Sequence, residues 1–451
     1  MLRALATLAF GVTVVAIGLW TGRRVRRSAE FFVADRTLGI GLTFSTFLAA
    51  NIGAGATLSA TGYAYADGAA AWWWNGSAGL GSLVLAFWIG PRIWREAAQH
   101  GFLTLGDFLE HHFGGGVRTL AALLIWLGSF AILCAQLKAA SEMLAAMAGL
   151  APSVGALIAS LTIAAYFVLG GLFSAARVNV LELGVKIAGL VIAAVLASRV
   201  SGGLEAMPSS SLAFWRGAGV GWPTLFLLGP AFFLSPGLLQ KAFGARDLTA
   251  VRRGIAWQGV ALLAFAWVPV VLGLAARTLH PGLERADEAL PAVLGGDLPH
   301  WAGVLGFAAV LSASMSAADA VLFMLSTCGA RDFYQRLVRP AASDADLLRA
   351  ARTLAVVVAL AGYALTFVFE SVNSALTFFY SVMVVTLFAP ILGGLYFPKA
   401  GRWAALAAML VGVATLFATM VGSGGAGYGW ASPSFLGLLT SALTYLILAV
   451  F

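Results

Sequence analysis

The sequence predicts an all-α polytopic membrane protein, and three observations lead to this fold class. Of its 451 residues, 61% are hydrophobic and only 10% are charged, too few charges to cover a soluble protein of this length. Apolar stretches of about 20 residues recur along the whole chain, and each is long enough to cross a bilayer as a helix. The ten-residue alternating segments that are typical of a membrane β-barrel are absent from the sequence.

The apolar stretches predict thirteen spans, each bounded by a loop that carries charges, glycines or prolines. The first is a span rather than a signal peptide, because its arginines cluster after the apolar run and not before it. The predicted spans are 4–21, 38–63, 70–91, 117–149, 152–171, 177–199, 221–242, 255–277, 300–328, 350–369, 372–396, 402–421 and 433–451.

The basic residues predict how these spans are oriented. With the N-terminus outside, twenty of the 27 Lys and Arg residues fall in inner loops, Lys241 among them, and five on the outer side, Arg216 among them, while Lys138 and Lys186 lie within spans. Basic residues concentrate in cytoplasmic loops, so this asymmetry predicts a multi-pass protein of the plasma (inner) membrane with a cytoplasmic C-terminus. The same positions explain the net charge of +8 without a nucleic-acid partner; membrane lipid is the expected surrounding.

The sequence also limits the function classes. It has no G-x-x-x-x-G-K-[ST] motif for ATP phosphates, and no HExxH or serine-nucleophile motif. An ATP-driven pump and an enzyme are therefore disfavoured, and we expect no catalytic residues and no organic cofactor. A secondary transporter and a membrane sensor acting with a partner protein remain.

The second span contains an interruption, LAANIGAGATLSATGY over residues 48–63. Irregular backbone survives in a membrane only where it is buried in protein or lines a cavity, and transporters use such breaks to expose carbonyls to ions. Gly53 and Gly55 would permit non-helical dihedral angles beside Asn51. Close packing through small residues is the alternative explanation.

A second interruption, GPAFFLSPG over residues 229–237, lies in the seventh predicted span. The two broken spans are five apart, which predicts two inverted repeats: spans 2–6 (about 38–199) and spans 7–11 (about 221–396). The whole chain, 1–451, then forms a single transporter domain, and each broken span opens one repeat.

Four stretches resemble the sodium/solute symporter family of sodium/glucose, sodium/proline, sodium/sialic acid and choline transporters. They are FFVADRTLG, AANIGAG, GGLFSAARVNVLE and AAVLSASMSAADAVLFMLSTCGARDFY, which together extend over spans 2–11. The resemblance implies a LeuT-like five-plus-five inverted repeat with extra terminal helices. It also implies symport of a small organic solute with Na⁺ by alternating access.

The resemblance further implies a sodium site between the second and ninth spans. Its ligands would be the backbone carbonyls of Ala49, Ile52 and Ala313 and the hydroxyl of Ser316. A second hydroxyl of the family falls on Ala317, which has none. Neutral oxygens at short range suit a hard cation that must also leave, so the missing ligand would weaken the site.

The sixth span departs from the family as well. The chain has RVNVLE where many members have WTDVxQ, so the usual Asp is Asn179. Asp319 appears instead on the ninth span, one turn after Ser316. Buried acids in membranes are usually functional, so we predict that Asp319, with Asn179, binds or relays a coupling cation, Na⁺ or H⁺. A structurally paired charge is the alternative.

Other charges within spans suggest structural pairs. Lys138 with Glu142 and Glu182 with Lys186 are four residues apart, the spacing of neighbours on one helix face. The inner segment LTLGDFLEHHFGGG predicts a short amphipathic helix ended by glycines, whose acids and histidines form a solvated surface rather than a metal site.

The solute pocket is expected beside the two breaks. Positions that carry polar side chains in sugar-binding relatives are Gly55 and Ala56 here, which offers little to a sugar. Aromatic residues with few polar anchors suit a small, partly apolar solute or a cation. An interfacial aromatic belt is the alternative for the three tryptophans at 72–74. The predicted solute contacts are Asn51, Gly53, Gly55, Ala56, Trp74, Asn75, Phe232, Phe233 and Ser235.

Cation-coupled uptake of a small organic solute is therefore the function that the sequence favours. A proton-coupled or uncoupled transporter of the same fold is the first alternative, because Ala317 and Asn179 lack the family's ligands. A membrane sensor with a partner protein is the second.

Overall fold

The computed structural model describes residues 2–203, 209–215, 220–369 and 371–450. This part of the chain is helical, and its two β-bridges are isolated ones. The helices are α1 (Leu2–Gly22), α2 (Ser28–Val33), α3 (Ile40–Asn51), α4 (Ala60–Asp67), α5 (Trp72–Val84), α6 (Gly90–His100), α7 (Leu105–Phe113), α8 (Gly115–Ala148), α9 (Pro152–Val200), α10 (Leu225–Leu234), α11 (Pro236–Phe243), α12 (Ile255–Phe265), α13 (Trp267–Leu279), α14 (Ala289–Ala292), α15 (His300–Cys328), α16 (Asp344–Leu365), α17 (Val372–Tyr396), α18 (Gly401–Gly422) and α19 (Pro433–Val450).

Among the described residues, nine helices are long and apolar enough to cross a membrane, or ten if the bent pair at the first break is one span. Helix α9 alone has 49 residues, and a straight helix of that length would be about 73 Å long, twice what a bilayer needs. Gly171, at φ +49°, kinks α9 between the fifth and sixth predicted spans. Gly68, at φ +72°, turns the chain between the second and third. The total of thirteen spans stays a prediction.

Helix α15 lies at the centre of the bundle. The most apolar 18-residue segment of the span that contains α15 is 89% buried in protein, compared with 28% for α19 at the periphery. Helix α15 packs against α9, α8 and α3, and α9 also packs against α1. Because α15 meets protein on nearly all sides, its polar residues Ser312, Ser316 and Asp319 are shielded from lipid.

Both interruptions predicted from the sequence are breaks in the helices. Helix α3 ends at Asn51, and the chain continues at an angle of 64° through a π-helical turn, Gly55–Ser59, into α4. Helices α10 and α11 meet at Ser235, whose ψ of 121° is extended, and Pro236 begins α11. Proline suits a helix's first position because its missing N–H would have no partner there.

Candidate functional site

In the first break, the backbone leaves helical geometry at Ile52, whose φ is −94° and whose ψ is 80°. The flanking glycines are needed for space. A Cβ on Gly53 would lie 2.5 Å from the Cβ of Ala317, and one on Gly55 would lie 2.8 Å from the Leu376 side chain. Neither glycine has a positive φ, so the break does not use the left-handed region that favours glycine; that the glycines supply other non-helical dihedral angles stays a prediction. Their role is the close approach of the break to α15 and α17.

Side chains from other helices satisfy the backbone groups that the break releases. The Gln136 Oε1 accepts from the Ala54 N–H at 2.8 Å. The Trp74 indole donates to the Gly55 carbonyl at 2.9 Å, and the Asn75 amide donates to the Ala56 carbonyl at 2.9 Å. A buried unpaired backbone group is costly, so these bonds make the irregular segment stable inside the bundle.

Three of the four residues predicted to bind sodium place oxygens around the ammonium of a lysine. The Lys186 Nζ donates to the Ala49 carbonyl at 3.0 Å and to the Ile52 carbonyl at 3.2 Å, and it contacts the Ser316 hydroxyl. The Ser316 hydroxyl is in turn 3.0 Å from the Ala49 carbonyl and 3.1 Å from that of Ala313. We call these four oxygen-bearing residues and their space the cradle.

A sodium ion does not fit the cradle in this arrangement. Lys186 is fully buried and contacts three of the four predicted ligands. A sodium ion on the same oxygens would lie about 4 Å or less from Nζ, where two unit charges repel by about 4 kcal/mol in a protein-like dielectric.

The prediction that Lys186 pairs with Glu182 is wrong. Its ammonium points to the break, and neither carboxylate oxygen of Glu182 has a hydrogen-bond partner within the described part of the chain. Lys138 likewise donates to the Phe369 carbonyl at 2.8 Å instead of forming the predicted ion pair with Glu142. In both cases the lysine ammonium binds a backbone carbonyl that no regular helix bond uses, in the first break or after the end of α16, in place of the carboxylate one turn away.

Asp319 and Asn179 are both fully buried near the cradle. The Tyr166 hydroxyl donates to Asp319 Oδ2 at 3.2 Å. Asp319 Oδ1 and both polar atoms of the Asn179 side chain lack partners among the residues that the structure describes. Their role in binding a cation stays a prediction.

A second buried lysine, Lys241 on α11, was missed. Its predicted place in an inner loop is wrong, because it is only 1% exposed. Among the described residues, its Nζ has one hydrogen-bond partner, the Thr46 carbonyl, at the long distance of 3.4 Å. Lys186 and Lys241 each interact electrostatically with Glu182 and Asp319. The bundle thus buries a cluster of two positive and two negative side chains.

A cavity of about 70 Å³ lies between the two breaks. Six of the predicted solute contacts line it, together with Ala317: Asn51, Gly53, Gly55, Ala56, Phe232 and Ser235. Three further lining residues were not predicted as solute contacts: Gln136, Lys241 and Tyr380. The rings of Tyr380 and Phe232 are 5.9 Å apart and form an aromatic wall.

The three remaining predicted contacts do not line this cavity. Trp74 and Asn75 lie behind the break, where they bind its carbonyls, and Phe233 is buried on another side of α10. Neither a pocket wall nor an interfacial belt describes Trp74, which is 5% exposed. The signal that could have identified this role is its position next to a break that needs donors.

The amphipathic inner helix is α7, and Gly114 follows it as predicted. Its acids do not form a solvated surface, however. Asp107 is buried and accepts from the Arg118 guanidinium at 3.0 Å, and Glu110 does so at 2.6 Å. Asp332, from the turn after α15, binds Arg118 as well, at 3.0 Å from Nε. We call Asp107, Glu110, Arg118 and Asp332 the inner ion cluster. The described residues contain no group of three or more His, Cys, Asp or Glu residues that could hold a metal ion.

Two broken helices that meet beside a central helix, with a cavity and buried charges at their junction, define a membrane transporter of the LeuT-like class. Solved structures with this architecture match the chain. A Na⁺-coupled sialic acid symporter in its substrate-bound outward-open state superposes with a TM-score of 0.88 at 16% identity, covering 100% of this chain and 98% of that one. A nucleobase-cation-symport-1 family transporter in a closed conformation gives 0.63 at 16% identity, with 93% of each chain covered.

The chain belongs to the sodium:solute symporter family, whose sequence model matches residues 31–412. The high-affinity choline transporter 1 of Caenorhabditis elegans is 23% identical over 92% of this chain and 77% of its own length. The proline transporter PutP of Bacillus subtilis is 21% identical, covering 89% of each. The sodium/pantothenate symporter of Escherichia coli is 24% identical, covering 90% and 88%.

The protein is therefore a multi-pass membrane protein and a secondary active symporter of small solutes, not an enzyme. Its family suggests sodium as the coupling ion. The cradle described above is where this chain departs from that expectation.

Proposed function

We propose that the chain transports a small organic solute that carries a carboxylate group, which binds in the cavity between the two breaks. The observation that carries this proposal is Lys241. Lys241 lines the cavity, and its ammonium, which has three donors, makes one long hydrogen bond to the residues that the structure describes. An anionic oxygen in the cavity would supply the partners that the buried charge needs.

Neighbouring residues support the same solute class. Asn51 also lines the cavity, and its side-chain nitrogen has no partner within the described residues, so it offers a second donor. Phe232 and Tyr380 provide an apolar surface for the rest of the molecule. Among the relatives, proline and pantothenate carry a carboxylate, whereas choline does not.

The two breaks give alternating access its hinges. In this proposal the repeats, residues 38–199 and 221–396, move relative to one another about the cavity. In the same proposal the protein lies in the plasma (inner) membrane, with its N-terminus outside the cell and its C-terminus in the cytoplasm. The basic residues support that orientation even without Lys241; Arg216, counted on the outer side, lies outside the described residues.

A thermal-shift screen of the purified protein tests the solute class. Proline, pantothenate, sialic acid and choline are the first probes, followed by short carboxylic acids and their amides. We expect stabilisation by at least one carboxylate and none by its matched amide. Lys241→Met should abolish that stabilisation, while Lys138→Met, which removes a lysine that binds Phe369, should retain it. Equal stabilisation by acid and amide, or an unchanged response in Lys241→Met, would refute the proposal.

Uptake of the stabilising solute into proteoliposomes then tests coupling. An imposed Na⁺ gradient, an imposed H⁺ gradient and no gradient separate sodium-coupled, proton-coupled and uncoupled transport. A protein that binds the solute but accumulates it under none of these conditions would fit the sensor alternative.

A further inference from the structure

The cradle contains a cation that belongs to the chain itself. Lys186 extends from the part of α9 after Gly171 and reaches the end of α3, where the Ala49 and Ile52 carbonyls point away from regular helix bonds. Ser316 on α15 closes the third side. One ammonium thereby joins three helices at the position where the family's architecture places a mobile ion.

The number of donors and acceptors matches. An ammonium has three N–H donors, and Lys186 has three oxygen partners in the cradle: two carbonyls and one hydroxyl. A sodium ion would prefer more oxygens than these three. A fourth oxygen at residue 317 would find no donor on the lysine, and Ala317 places a methyl there that packs against Gly53 instead. The missing hydroxyl at residue 317 and the lysine at residue 186 are thus parts of one arrangement.

The buried charge is compensated within the same region. Glu182 lies one helical turn before Lys186, both are fully buried, and they attract one another electrostatically. Glu182 forms no hydrogen bond with the described residues, so it does not draw the ammonium out of the cradle.

We propose that the Lys186 ammonium permanently replaces the sodium ion of the cradle, so that sodium neither binds there nor drives transport from there. The lysine holds the break against α15, as a bound ion would, but it cannot dissociate. Any coupling ion of this symporter therefore acts at another position. This inference does not depend on the solute, so its test and the solute screen can fail independently.

Thermal unfolding of the purified full-length protein, with NaCl compared with KCl at equal ionic strength, tests the proposal. We expect no sodium response from the cradle of the wild type, so its Tm is the same in both salts or shows only a sodium response that Ser316→Ala retains. Lys186→Ala exposes the Ala49 and Ile52 carbonyls and the Ser316 hydroxyl to a small ion, so we expect its Tm to rise by a few degrees with sodium, in a saturable way. Lys138→Ala removes a lysine outside the cradle and should remain insensitive to sodium.

The wild type and Ser316→Ala decide the matter if Lys186→Ala does not fold. A saturable, sodium-specific rise in the Tm of the wild type that Ser316→Ala abolishes would overturn the proposal. A sodium response that Ser316→Ala retains would place the ion outside the cradle and support it. A folded Lys186→Ala without any sodium response would contradict the claim that the lysine stands in for sodium.

Discussion

Replacing Gly53 by alanine should strain the first break. The added Cβ would lie 2.5 Å from the Cβ of Ala317 and 2.8 Å from Oε1 of Gln136, which holds the Ala54 N–H. Carbon atoms in contact are normally about 3.5–4.0 Å apart, so α15 or the break must move by about 1 Å. Overpacking of this kind typically costs about 1–3 kcal/mol, and we expect a lower Tm.

Thermal unfolding in detergent at one scan rate measures this effect, and the same helix offers a control. Gly41→Ala lies in α3 too, but nothing lies within 4 Å of its added Cβ, so we expect no loss of stability. Ala317→Gly removes one of the two clashing atoms, and Gly53→Ala combined with Ala317→Gly should recover part of the loss. If Gly53→Ala were as stable as Gly41→Ala, the close approach of the break to α15 would be refuted.

Three further substitutions test the partners of the break and the inner ion cluster by the same thermal assay. Gln136→Leu leaves the Ala54 N–H without its acceptor and should cost about 1–3 kcal/mol; an unchanged Tm would mean that the amide is not needed. Trp74→Phe keeps an aromatic ring but removes the donor to the Gly55 carbonyl, so we expect a loss of similar size, and full stability would contradict its capping role. Arg118→Met leaves the buried Asp332 without a guanidinium partner, while Asp107 and Glu110 keep Arg331 and Arg336. The change should cost about 3–5 kcal/mol, whereas a loss below that of Trp74→Phe would show that the cluster is exposed to water.

The sequence predicted the breaks because their composition conflicts with a membrane helix. Asn51, Gly53 and Gly55 lie in an apolar run, as do the prolines around Ser235, and only a cavity or a protein interior tolerates such backbone. It could not show why the glycines are needed. Their close approach depends on Ala317 and Leu376, which are distant along the chain.

The lysines show why the site itself was harder to predict. The spacing in the sequence placed Lys186 beside Glu182 on one helix face, because the rule for i and i+4 neighbours considers only one helix. A long side chain beside a broken helix has other acceptors, and these become visible only when α3 and α9 are placed together. Lys241 was assigned to a loop because a lysine at the end of a predicted span ordinarily reaches the water.

Trp74 and Asn75 illustrate a related limit. Their polar atoms and aromatic surface were expected to meet a solute, and they meet the backbone of the break instead. A helix break needs donors and acceptors as much as a ligand does, so the residues nearest to it in the fold are first used for structure. The cavity is lined by residues of the two breaks and by side chains of other helices, such as Tyr380.

An experimental map of the wild-type protein prepared in sodium buffer tests the central claim most directly. We predict density for the Lys186 side chain that reaches the cradle, with Nζ within hydrogen-bond distance of the Ala49 and Ile52 carbonyls and of the Ser316 hydroxyl. A sodium ion bound to those oxygens, with the lysine turned away towards Glu182, would contradict it.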